Sequence, residues 1–305
     1  MSHAHSPAER RGLGLALVSF TAWGLMPLYW HLLAMVPAWQ IVLHRIVWGA
    51  VLVAAWLGVK HGRGWLRETL RTHPRARVLL PITALLIAFN WSLYIWAVNA
   101  GHVIESSLGY FINPLINVLL GVWLLGERLR RVQWLAVLLA LAGVSWLTWQ
   151  LGHPPWIALG LAVSFGLYGY LRKRADVPPV RGLGVENLVL FVPALAALAW
   201  LGVHDAGDTS WGLGVDALLV LGGALTALPL IGYAAALRVV PLSTVGVLQY
   251  LSPTLQFLVG LLVFGEPFDR SRATGYGLVW LALAVFAIEG LWRAHRARPA
   301  ATTAG

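Results

Sequence analysis

Residues 106–127 read SSLGYFINPLINVLLGVWLLGE. The run is apolar and long enough to cross a bilayer, yet Pro114 sits in its middle, with Asn113 before it and Asn117 a turn on. Proline deletes one backbone donor and frees the carbonyl one turn back, which is costly where no water can replace the bond. The pattern occurs twice. Residues 107–127 align without gaps to 246–266, GVLQYLSPTLQFLVGLLVFGE, at an offset of 139. Pro114 falls on Pro253, Gly121 on Gly260, and Gly126-Glu127 on Gly265-Glu266. A weaker echo joins Ser19-Phe20 and Trp23-Gly24 to Ser164-Phe165 and Tyr168-Gly169.

Composition sets the solvent. The 305 residues are 59% hydrophobic and 11% charged, with 17 Trp. A soluble domain carries about 25% charged residues. A spanning helix takes roughly 20 apolar residues, and ten segments meet that need: 12–33, 38–59, 78–98, 103–124, 132–149, 155–171, 183–203, 213–235, 242–264 and 272–292. The expected fold is therefore an all-α integral membrane protein of ten transmembrane helices. The duplication divides them into two five-helix repeats, 12–149 and 155–292, flanked by cytoplasmic segments 1–11 and 293–305. Five is odd, so the second repeat enters the membrane from the opposite side, an inverted repeat.

Charge sets the orientation. With the N-terminus inside, nineteen Lys and Arg fall on inner segments and only Arg270 and Arg272 on outer ones, with Arg45 inside the second span. That bias places both termini in the cytoplasm. The net charge of +10 is scattered over short loops and implies no nucleic-acid partner. The first apolar run is too long for a signal-peptide core and reads as a retained helix. The absence of Cys excludes disulfides, thiolate metal sites and cysteine catalysis.

The two prolines locate a candidate site. Pro114 lies about ten residues into the fourth span and Pro253 about eleven into the ninth, each roughly 15 Å deep and near the midplane. Tyr110, Asn113 and Asn117, at i, i+3 and i+7, form one helical stripe. Their repeat partners are Gln249, Ser252 and Gln256. Polar groups at that depth must face protein or water. Two symmetric stripes point to a shared central cavity that binds a solute; the alternative is that they only join helices. Asn90 and Tyr94 in the third span, with Thr226 and Tyr233 in the eighth, are expected on the cavity wall. Trp91 and Trp96 face either lipid or a neighbouring helix.

Charged residues in apolar spans need partners. Arg45 lies roughly 10 Å inside the second span. Glu105, on the same side of the membrane, is the expected partner, as an outer gate or as a proton-exchanging group; the alternative is a static interfacial pair with Arg45 snorkelling outward. Glu186, Asp216 and Glu289 read as solvated residues near helix ends, with a second gate at Glu186 as the alternative. Gly126 and Gly265 read as helix C-caps with the following Glu at the interface. His31, His102, His153 and His204 fall at outer helix ends and read as interfacial, since no metal-ligand spacing follows them. No zincin, nucleophile-elbow or Walker motif occurs, and Gly12 and Gly14 start no dinucleotide fingerprint. No catalytic residue, metal or cofactor is implied.

Several stretches resemble one family: AWGLMPLYWHLL (22–33), LHRIVWG (43–49), FNWSLYIWAVN (89–99), SLGYFINPLINVLLG (107–121), GERLRRVQWLAV (126–137) and LSPTLQFL (251–258). Together they are similar to the RarD-type permeases of the EamA branch of the drug/metabolite transporter superfamily. The resemblance covers nearly the whole chain. It implies ten helices in two inverted repeats, a central pocket, and alternating access across a bacterial inner membrane. It fixes no catalytic residue and no substrate. The expected function is a secondary transporter, exporting a small neutral, zwitterionic or amphipathic metabolite or drug, with Pro114 and Pro253 as bend points and proton coupling through Glu105 as an open route. An amide, hydroxyl and aromatic lining disfavours phosphates and multivalent anions. A channel, a non-transporting scaffold and a membrane-embedded enzyme are the alternatives.

Overall fold

The computed structural model describes residues 6–100, 102–150, 152–204, 211–265 and 273–296, and every regular element among them is a helix. In chain order these are α1 (Pro7–His31), α2 (Ala38–His61), α3 (Trp65–Thr72), α4 (Ala76–Asn99), α5 (Val103–Leu125), α6 (Arg131–Trp149), α7 (Trp156–Ala175), α8 (Pro179–His204), α9 (Leu213–Val239), α10 (Leu242–Leu248), α11 (Leu251–Leu262) and α12 (Ala273–Arg296). Eight segments are long and apolar enough to cross a membrane: α1, α2, α4, α5, α6, α8, α9 and the α10–α11 run. Glu266 and the basic residues Arg270, Arg272 and Arg298 lie outside the described residues.

Local chemistry explains where the elements depart from the apolar pattern. α1 starts at Pro7, five residues earlier than hydropathy places it. Ser6 is its N-cap and accepts the Glu9 N–H at 3.1 Å, with Pro7 at the first helical position. The basic connection after α2 holds the short α3, whose Trp65 and Thr69 are buried while Arg67 and Arg71 lie on its exposed side. The ninth apolar run is divided at Gln249-Tyr250. Pro253 has no N–H to return to Gln249, and the Gln249 carbonyl instead accepts the Ser252 N–H at 3.0 Å in a tighter turn. Pro114, its partner by alignment, lies inside an unbroken α5.

The helices pack mainly across the midpoint of the chain. α5 packs on α7 and α10, α4 on α7 and α8, α2 on α8 and α9, α1 on α9 and α11, and α6 on α12. Exchanging the first five long helices with the last five maps this set of pairs onto itself: α1·α11 becomes α7·α5, α1·α9 becomes α7·α4, and α2·α9 becomes α8·α4. Neither half keeps a core to itself. The largest buried cluster draws on α1, α2, α4, α7, α8, α9 and α10 together.

Small residues allow the close crossings, as they do where lipid gives no hydrophobic drive to helix association. A Cβ on Gly223 of α9 would come within 2.6 Å of the Gly49 N and 2.7 Å of the Trp48 carbonyl carbon on α2. Gly58, also on α2, has open space where its Cβ would go. We expect Gly223→Leu to lower the melting temperature of the detergent-solubilised protein by several degrees, an overpacking cost of about 1–3 kcal/mol, and Gly58→Ala to leave it unchanged. Equal melting temperatures for the two variants would show that the α2–α9 crossing is not tight.

Candidate functional site

The polar stripes of α5 and α11 converge on one cavity of about 200 Å³, enclosed by α1, α2, α4, α5, α7, α9 and α11. Of the residues expected on its wall, Asn90, Tyr94, Tyr110, Asn113, Thr226, Gln249, Ser252 and Gln256 are there, together with Arg45 and Pro253. Asn117, Tyr233, Glu105 and Pro114 are not among the lining residues.

The opposition between a solute site and helix glue resolves residue by residue. Asn117 is fully buried and donates to Gln249 Oε1 at 2.7 Å, which joins α5 to the break between α10 and α11. Asn90 donates to the Leu161 carbonyl at 2.8 Å and to Ser164 Oγ at 2.9 Å, tying α4 to α7. Gln256 donates to the Trp23 carbonyl at 3.1 Å, tying α11 to α1. These three amides fasten helices together. The Tyr94 and Tyr110 phenols and the Ser252 hydroxyl line the cavity with no protein hydrogen-bond partner among the described residues. The two tyrosine rings meet edge to face at 5.9 Å.

Tyr233 belongs to an aromatic plug and not to the wall. It is fully buried, and its ring lies 6.1 Å from Phe20, 5.7 Å from Trp23, 5.5 Å from Phe165 and 6.4 Å from Tyr168. Phe20, Trp23, Phe165 and Tyr168 are the residues of the weak sequence echo. The echo thus marks two helix faces that meet each other. Trp23 and Phe165 line the cavity as well, so the plug forms one end of it.

Arg45 does not pair with Glu105. Its Nε donates to Thr226 Oγ1 at 2.8 Å, and its guanidinium carbon lies 4.8 Å from the Trp30 ring centroid and 5.0 Å from that of Trp91. Trp91 therefore faces a neighbouring helix and the cavity, whereas Trp96 is about half exposed. Glu105 is buried at the start of α5 and turns to the first turn of α7, where Oε1 accepts the Ile157 N–H at 2.8 Å. A helix N-terminus offers unpaired N–H groups and a partial positive charge, and this satisfies the carboxylate without an arginine.

Four further carboxylates, expected in solvent or at the interface, are engaged in protein contacts. Glu127 follows the left-handed C-cap Gly126 and accepts the Leu242 N–H at 2.6 Å and the Ser243 N–H at 2.8 Å, so it caps α10. Gly121 provides the space, since a Cβ there would stand 2.6 Å from Glu127 Oε2. Glu186 is fully buried, 3.4 Å from Arg172 Nε, and accepts the Thr83 hydroxyl at 2.5 Å. Glu289 is buried against Arg130 at 2.6 Å. Asp216 is half-buried and accepts the Trp211 N–H ahead of α9 at 3.0 Å. His31, His102 and His153 are exposed, the His204 side chain lies outside the described residues, and no cluster of metal-ligand type occurs among those described.

Two features were missed in the sequence: the two tryptophans beside Arg45, and Glu127. The second had a signal, because Glu127 directly follows Gly126, the left-handed C-cap of α5. The first had only half of one. Arg45 announces itself in an apolar span, but nothing in the spacing assigns Trp30 and Trp91 to it.

Comparison with known proteins matches this architecture. The profile of the EamA-like transporter family matches the chain twice, at residues 10–149 and 155–288. An uncharacterized transporter of Pseudomonas aeruginosa is 48% identical over 295 residues, covering 95% of this chain and 97% of its own. Protein RarD of Streptomyces exfoliatus is 44% identical over 95% of this chain and 92% of its own length, and protein RarD of Escherichia coli 38% identical over 94% and 97%. A solved crystal structure with 21% identity shares the fold, with a TM-score of 0.68 over 96% of this chain and 100% of its own. The chain belongs to the EamA-like transporter family, among its RarD-type permeases, and is a multi-pass membrane transporter of small molecules.

Proposed function

We propose that the chain is a ten-span secondary transporter built as an inverted repeat in a bacterial inner membrane, exporting a small amphipathic metabolite or drug by alternating access. Eight spans meet the length and hydropathy of a membrane crossing. The remaining two are α7 and the apolar part of α12, Ala273–Glu289. The exchange symmetry of the helix pairs and the two family matches on 10–149 and 155–288 support the duplication. The odd number of spans per copy supports the inversion. The observation that carries the transport reading is the cavity itself, closed over by both copies and lined by amide, phenol and indole groups.

In the orientation given by the positive-inside rule, the cavity lies toward the outer side of the aromatic plug. The plug then forms the inner gate, backed by Asn117–Gln249 and by Glu127 on α10. To open inward, α10 must leave α5 while α11 keeps its hold on α1. The break at Gln249-Tyr250 lets those two segments move apart. A rigid rocking of one half on the other fits less well, because each helix packs chiefly on the opposite half. Proton exchange at Glu105 remains part of this reading, and its buried Oε2 has no hydrogen-bond partner among the described residues.

Three results test this. Counterflow in proteoliposomes against amino acids, organic acids, sugars and amphenicol-like drugs should give saturable exchange of at least one solute. Asn113→Leu or Gln256→Leu should then lower it about tenfold or more without loss of the folded protein; ion currents without saturable exchange would make the protein a channel instead. The natural lack of Cys permits a second test. Asn117→Cys should resist an impermeant thiol reagent added from the inner side, and become labelled once Glu127→Ala is added. Protection that survives the second change would remove Glu127 from the gate. Third, His153→Cys in the exposed α6–α7 turn should be labelled from outside only; labelling from inside would invert the orientation.

A further inference from the structure

The central cavity holds a positive charge for which the described residues supply no negative one. Arg45 uses its Nε on Thr226 Oγ1, at 2.8 Å, and its guanidinium carbon lies within 5.0 Å of the ring centroids of Trp30 and Trp91. Its two terminal nitrogens have no acceptor among the described residues, and the residue lines the cavity. Four described carboxylates on the helices of the bundle have other partners. Glu105 holds the start of α7, Glu127 the start of α10, Glu186 lies against Arg172, and Asp216 holds the start of α9.

Such a charge in a low-dielectric interior requires compensation. Two indole faces give part of it by cation–π attraction. Thr226 takes the Nε edge of the guanidinium. What remains is the edge with the two terminal nitrogens, the fork that matches a carboxylate with two parallel hydrogen bonds. The charge balance narrows the class further. Among the described residues the lining has a single cation and no anion, so a dianion would be left with one charge unmatched, and an amino-acid zwitterion would bring an ammonium with no partner. Trp23, Leu161, Phe165 and Leu230 give the lining an apolar share.

We propose that the cavity takes an amphipathic monocarboxylate anion, its carboxylate held by the terminal nitrogens of Arg45 and its apolar body against the wall of α1, α7 and α9. The assignment deepens the transport reading and rests on it for the movement of the anion, though not for its binding.

The test uses three matched probes with the purified, detergent-solubilised full chain: 3-phenylpropionate, 3-phenylpropionamide and phenylalanine. Thermal stabilisation measures binding and proteoliposome counterflow measures movement. The acid should stabilise at concentrations at least tenfold lower than the amide or the amino acid. Arg45→Gln should abolish that preference, and Arg45→Lys should keep part of it. If Arg45→Gln does not fold, the ranking of the three probes on the native chain still decides. Equal stabilisation by acid and amide overturns the proposal. So does stabilisation by phenylalanine at the same concentration as by the acid, an unchanged preference in a folded Arg45→Gln, or no stabilisation by the acid. Saturable exchange of uncharged solutes with no preference for the acid overturns it and leaves the transport reading standing. Preferential stabilisation by the acid without counterflow supports the Arg45 site and counts against transport.

Discussion

In lipid a polar group that loses its partner finds no water, and that constraint governs the polar architecture of this protein. Helix ends and proline breaks create the most demanding groups, because both leave backbone N–H or C=O without an intrahelical bond. α5 meets the demand at both of its ends. Glu105 reaches the start of α7 and Glu127 the start of α10. Between them Asn117 bonds Gln249 where the ninth span divides. One helix of the first half thus satisfies three weak points of the second. Its glycines at 109 and 121 let the neighbours come close enough for those short side chains to reach.

The same constraint shapes the cavity. Amides that could have lined a binding site are partly used to hold it together: Asn90 fixes α4 to α7, and Gln256 fixes α11 to α1. What remains open to a solute is the Asn113 amide, a set of phenols and indoles, one hydroxyl and one guanidinium. Because each side chain that faces the hollow belongs to a helix packed on the opposite half, a shift in any cross-half pair changes both the shape of the hollow and its closure. Binding and gating share their parts.

The residues missed or misassigned in the sequence have one physical cause. Glu127, Glu186 and Glu289 lie near the ends of apolar runs, where a carboxylate ordinarily meets water. Each is instead covered by a helix distant in sequence: α10 for Glu127, α7 and α4 for Glu186, and Arg130 ahead of α6 for Glu289. Hydropathy and charge bias put Arg45 and Glu105 on one side of the membrane, which makes them partners on paper. Depth is one coordinate, however, and the angle around the bundle is another. Glu105 faces α7 while Arg45 faces α9, α1 and α4.

By itself the sequence determined what depends on one chain segment at a time. Hydropathy gave the helical membrane class. The offset of 139 gave the duplication, and proline with its flanking amides gave the stripe that became the wall of the hollow. Eight of the ten residues expected on that wall are on it, because period and depth suffice to place a side chain on a helix face. Tertiary structure alone decided which faces meet. It sent Tyr233 into the plug and Asn117 to Gln249, set Arg45 against two tryptophans, and divided the span at Pro253 while leaving the span at Pro114 continuous. Those outcomes depend on the rotation and crossing of helices far apart in the chain, and no periodicity within a single helix encodes them.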